Sequence, residues 1–80
     1  MPLIKVIDSI KIYIYLSYDN AHHFLVIYAE YEELIDMRTL TTYSGSVPNK
    51  QRKKVIKWAE ENEAYLHEKW VEYNPDKTAE

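Results

Sequence analysis

The groups in this chain suited to acid–base or metal chemistry are three histidines and a run of carboxylates, and their spacing decides how far that chemistry goes. His22 and His23 are adjacent, so on a strand they point to opposite faces and cannot chelate one ion together unless the backbone is irregular. Leu25 stands where a second histidine on the same face would complete a His-x-His pair. His67 could approach from a helix and Asp19 could lend an oxygen, but nothing in the spacing requires either. Glu30, Glu32, Glu33 and Asp36 crowd one short stretch. Of these, Glu30, Glu32 and Asp36 share parity and would share a strand face, as an acidic metal set or an acid–base pair does. The same charges suit a solvated edge strand that repels other chains, and the sequence favours that use. There is no Ser-His-acid order, no zinc-ligand spacing and no cysteine, and one glycine leaves no phosphate-cradling loop. No catalytic residue, metal or cofactor is assigned. A small hydrolase built on His23, Glu30 or Asp36 is the least favoured function.

Two other groupings point to binding. Tyr13 and Tyr15 alternate with Ile12 and Ile14, and Tyr18 follows. On a sheet covered by one helical layer the Tyr13 and Tyr15 rings fall on the face left over, where they could pack on another protein or stack on bases. Lys50, Arg52, Lys53, Lys54 and Lys57 load the start of a predicted helix, where the macrodipole is already positive. That arrangement is either an anion-seeking surface for phosphate or an acidic protein, or a solvated face that packing tolerates. Five cations are too few for sequence-specific DNA recognition but enough for weak, salt-sensitive binding. Trp58 and Trp70 are twelve positions apart, about 120° around a helix. Trp70 aligns with Val55, Ala59 and Leu66 as core, which leaves Trp58 for a shoulder or interface.

The elements that must position these groups follow from periodicity. Leu3 to Ile7 and Ile10 to Leu16 read as strands joined by a tight Asp8-Ser9 turn. Ser17 to His22 reads as a loop. Phe24 to Tyr28, Tyr31 to Met37 and Leu40 to Tyr43 read as further strands. Ser44 to Pro48 breaks the pattern, and Pro48 suits a helix start. Asn49 to about Glu72 lacks proline and glycine and reads as one long helix, with Asn62 and Glu63 a weaker polar turn within its stripe. No repeat is evident. The expected architecture is α+β: an antiparallel meander of four to five short strands packed against one long C-terminal helix. Residues 1–75 form a single domain and 76–80 a frayed tail.

These residues resemble a small bacterial family catalogued as domain of unknown function 4160. The likeness runs through Met1-Pro2, Ile4, the tyrosine-rich second strand, His23-Phe24, Tyr28, Glu30-Tyr31, Leu34-Ile35-Asp36, Leu40, Gly45, Pro48, Trp58-Ala59, Glu63, Leu66 and Trp70. The family signature, an Asp-His loop running into Pro-Pro-His-Phe-His, is here Tyr18-Asp19-Asn20-Ala21-His22-His23-Phe24-Leu25, so only His23 and Phe24 hold their places. The resemblance implies a cytoplasmic bacterial protein, encoded beside another small domain in a toxin–antitoxin or regulatory pair.

Composition sets the outer limits. Eighty residues make one domain with a small core, whose stability a partner or a second copy would help. A formal charge of −3 excludes a chain that coats nucleic acid, and the absence of cysteine suits a reducing cytosol. No apolar run reaches the roughly 18 residues of a spanning helix. The charge is segregated: −3 over residues 1–47, +5 over 48–59 and −5 over 60–80. The function expected is therefore a non-catalytic protein-interaction or regulatory module, acting through Tyr13, Tyr15, Tyr18 and Trp58 on a protein partner or a second copy. The alternative is a weak nucleic-acid binder using Lys50, Arg52, Lys53, Lys54 and Lys57. No membrane partner and no small-molecule substrate is assigned.

Overall fold

Asp8 and Ser9 both hold positive φ, 45° and 70°. That is the backbone of a two-residue hairpin turn whose twist matches its strands, and Ile7 and Ile10 close it as partners. In the computed structural model, which describes residues 1–15 and 22–75, this hairpin joins β1 (Leu3–Ile7) to β2 (Ile10–Ile14). Next come β3 (His23–Tyr28) and β4 (Tyr31–Asp36), joined through Ala29 and Glu30 with φ of 52° at Ala29. β5 (Thr42–Ser46) completes a fully antiparallel sheet in the order β1-β2-β3-β4-β5. Leu16, Tyr18, Asp19 and the tail 76–80 lie outside the described residues.

Alternation then sorts the side chains into two faces. Ile10, Ile12 and Ile14, Phe24 and Val26, and Ile35 and Met37 project to one side. There they meet Val47 and the helical residues Val55, Ala59, Leu66 and Trp70 in a single core. Trp70 and Phe24 are its largest fully buried members. Helices cover this face alone, giving the two-layer α+β arrangement expected.

Three expectations need correction. The helical layer is α1 (Asn49–Glu61) and α2 (Glu63–Tyr73), two helices and not one long C-terminal helix. At Asn62, φ is −133°, and the side-chain amide donates to the Trp58 carbonyl at 2.8 Å while the backbone N–H turns to Ala59. The carbonyl of Asn62 then accepts from Leu66 at 2.9 Å and starts α2. Asn74 ends α2 in the same way, its amide donating to Trp70 O at 3.0 Å with φ again −133°.

The last strand is Thr42–Ser46 and includes the segment read as a break. Gly45 makes this possible. Its φ is 75°, and a Cβ there would run into the Glu32 carbonyl oxygen, so no other residue fits without moving β4. With β5 in place, β4 is an interior strand, so its carboxylates do not guard a sheet edge. No helix among the described residues is long and apolar enough to cross a membrane.

Candidate functional site

Every strand also shows a second face, and no helix among the described residues covers it. The ladder registers align its residues in rows that cross the sheet. The middle row is Leu3, Tyr13, Leu25, Leu34 and Ser44, each the register partner of the next. The row toward the β1–β2 turn is Val6, Lys11, Ile27, Glu32 and Ser46. At the other end, Tyr15 bonds its N–H to the His23 carbonyl and His23 pairs with Asp36. None of the apolar members belongs to the helix-side core. Leu25 and Leu34 are buried and, with Met1 and Tyr15, line a hollow of about 390 Å³. Leu3 and Val6 remain about half exposed, at 49% and 51%. Tyr13 and Tyr15 thus stand where the alternation put them, while Tyr18 lies outside the described residues.

Trp58 takes the shoulder position. It packs half-buried on the edge of the core, edge-on to Tyr65 with ring centroids 6.1 Å apart. With Ile4, Lys5, Asn62 and Tyr65 it lines a second hollow of about 330 Å³ beside edge strand β1, to which the Tyr65 hydroxyl is tied through the Ile4 carbonyl at 3.2 Å. This lies on the helix side, so Trp58 is not part of the tyrosine-bearing face.

The basic segment divides. Arg52 turns inward and donates Nε to Glu33 Oε2 at 2.9 Å and Nη2 to Thr42 Oγ1 at 2.9 Å. The Thr42 hydroxyl and the Val47 N–H complete the ring of donors around that carboxylate. Glu33 has no exposed side-chain surface, and burial pushes its pKa up. The bonds from Thr42, Arg52 and Val47, with the Arg52 charge, outweigh burial and hold it below its usual 4.5. Lys54 pairs with Asp8 at 2.9 Å. Lys50, Lys53 and Lys57 stay exposed, and their spacing of three and four sets them on one outward ridge of α1.

The histidine and carboxylate set is dispersed. His23 is buried under the Tyr43 ring, centroids 4.4 Å apart. Its register partner Asp36 accepts at Oδ1 from the N–H groups of Arg38 and Thr39 at 2.8 and 3.1 Å. Burial opposes ionisation of Asp36, and these two bonds with the Arg38 charge overcome it and lower its pKa. Glu30 lies in the β3–β4 turn, at the opposite end of the ladder from His23. His22 sets its ring edge-on to Trp70, 3.9 Å between centroids, with His67 at 6.4 Å. Burial first, then the Arg38 and His67 charges, lower its pKa below 6.5 against the pull of Asp36. No group of three metal-binding side chains converges among the described residues.

Asn74-Pro75 reads as a helix stop from sequence and is one, but sequence reasoning missed the roles of Glu33 and Thr42 and the helix end at Asn62. A signal for the caps is present: Trp58-Ala59-Glu60-Glu61-Asn62 and Trp70-Val71-Glu72-Tyr73-Asn74 repeat the pattern Trp-x-Glu-x-Asn. For Glu33 the signal is its parity with Ile35 and Met37.

No curated protein and no solved structure matches the chain. The family described as domain of unknown function (DUF4160) does match, over residues 9–71, a span that takes in β2 through most of α2 and with them both sheet faces. On that match over most of its length, the chain belongs to the DUF4160 family.

Proposed function

We propose that this domain is a non-catalytic protein-interaction module, one member of a small bacterial regulatory pair of the toxin–antitoxin kind, and that it docks through its open sheet face. The observation that carries this is the middle row Leu3, Tyr13, Leu25 and Leu34, four apolar side chains in unbroken register on a face that no helix covers. Leu3 and Val6 are half exposed beside Tyr13, and apolar and tyrosine side chains on a face that no described helix covers are the composition of a docking surface. The cytoplasm, which suits a chain without cysteine, is where we place the pair.

The test is co-purification from the native cell, with the product of the neighbouring gene supplied, together with sedimentation of the purified chain. Leu3→Lys with Val6→Lys, on an edge strand that tolerates lysine, keeps the cooperative melt and removes the association. A chain that stays monomeric and captures no protein, or one whose association ignores the double substitution, overturns the proposal.

Weak nucleic-acid binding is a second reading, favoured by one observation. Lys50, Lys53 and Lys57 form an exposed basic ridge at the N-terminal half of α1, without an ion pair among the described residues.

A further inference from the structure

The open face has a property that docking an unrelated protein does not require: it is complementary to itself. We propose that the occupant of this face is a second copy of the same chain, related by a two-fold axis running along β3, an inference that rests on the open face being the docking surface.

β3 is the middle strand of five. When two such sheets pack face to face about an axis along their middle strands, β2 of each comes over β4 of the other and β1 over β5, at the same level of the ladder. In the row toward the β1–β2 turn, Lys11 on β2 and Glu32 on β4 flank Ile27. The axis therefore sets Lys11 over the partner's Glu32, and Glu32 over the partner's Lys11, around a contact of Ile27 with itself. Both charged residues are exposed and neither joins an ion pair within the described residues of the chain.

The shapes match as well. Leu3 and Val6, the protruding residues of β1, fall over the partner's Ser44 and the partner's Ser46, the short side chains at the matching level of β5. Tyr13 falls over the partner's Leu34, and Leu25 over itself. Aligned sheets are offset by roughly 30°, which moves β2 by only about 2 Å and β1 by about 5 Å from these positions, within the reach of the side chains. The third row contributes less, because Tyr43 leans on His23 and Asp36 is engaged by the turn that follows it.

Strand spacing and rise give the face a projected area of roughly 400 Å². That is about half of the roughly 800 Å² per partner of a standard interface, so the dimer is weak and concentration-dependent.

Sedimentation equilibrium over a concentration range, at low and high salt, reads the dimer directly. Lys11→Glu and Glu32→Lys each place two like-charge pairs across the axis and weaken it about tenfold at low salt. The double variant restores both pairs with their signs exchanged and returns the dissociation constant to near that of the parent chain. Far-UV circular dichroism melts confirm that these exposed substitutions leave the fold intact. A dimer indifferent to the single swaps, or one that the double swap does not rescue, overturns the two-fold arrangement. A monomer that binds a different protein through Leu3 and Val6 also overturns it, yet leaves the docking role standing. A monomer that binds nothing overturns both.

Discussion

Glu33 is the buried carboxylate of the described residues, and four donors from three separate elements converge on it and its Thr42 neighbour. Thr42 comes from β5, Val47 from the connection that follows and Arg52 from α1, so this one side chain fastens the end of the sheet to the start of the helical layer. Glu33→Gln keeps the shape and removes the charge, and the expected loss is about 2 kcal/mol, the scale of hydrogen bonds to an ionised group. Arg52→Met leaves the carboxylate short of its cation and costs about 3 kcal/mol; the Arg52 side chain is 31% exposed, so water offsets part of the full penalty. The pH dependence has a definite sign. Because the folded pKa lies below the usual 4.5, the stabilisation is complete above that value and disappears as pH falls through the folded pKa. Urea melts of the parent and Glu33→Gln chains should therefore differ at pH 7 and converge in strong acid; a constant difference across that range would refute the ion-pair account. Arg52 was legible in the sequence as an anion seeker, but the anion it finds is internal. Parity singled out Glu30, Glu32 and Asp36 as a set, whereas the residue that matters is the one left out of it. Its parity with the apolar Ile35 and Met37 marks the helix-side face, and the fold brings Thr42, Val47 and Arg52 to that face to pair the buried carboxylate.

At the scale of elements, β1 to β4 were readable because each is a dense apolar or alternating run bounded by turn residues. β5 was not. Thr42-Tyr43-Ser44-Gly45-Ser46 has no hydrophobic pattern and every residue in it is exposed, so the segment is a strand only because β4 offers it a ladder and Gly45 permits the close approach. The helix break was hidden for the opposite reason: the apolar stripe of Val55, Ala59, Leu66 and Trp70 passes through Asn62 almost unaltered, and periodicity registers a stripe better than a single cap. Asn62→Ala deletes the bond to the Trp58 carbonyl and is expected to cost about 1 kcal/mol; Asn74→Ala, at a buried residue, costs about 1–2 kcal/mol because the Trp70 carbonyl loses its partner away from water. Chemical denaturation measures both. A gain in stability together with higher helicity for Asn62→Ala would show that the break strains α1 and α2 and does not cap them.

On the scale of the whole molecule, the two-layer logic was readable throughout: one amphipathic helical region and one meander with a single strongly apolar face leave a helix-covered side and an open side. The charge map needs the folded chain to be understood. Residues 48–59 carry five cations and no acid, yet folding commits Arg52 to Glu33 and Lys54 to Asp8, both in the acidic first segment. Two of the five cations are thereby paired within the chain, and Lys50, Lys53 and Lys57 are the exposed ones without an ion pair among the described residues. This sets a quantitative ceiling on nucleic-acid binding. Three cations neutralise at most three phosphates, so the logarithm of affinity for a single-stranded oligonucleotide should fall against the logarithm of salt with a slope of about −2, whereas all five would give about −3.5. Lys53→Glu should flatten that slope further without changing the melt, because its side chain has no ion-pair partner among the described residues. Arg52→Met should lower the melting temperature and leave the slope as it was, since its guanidinium is already occupied. Fluorescence anisotropy of a labelled homopolymer across a salt series separates the two: a slope near −3.5, or one that flattens on Arg52→Met in protein that is still folded, would mean that the Glu33 clamp opens for phosphate and that the basic segment acts as a unit.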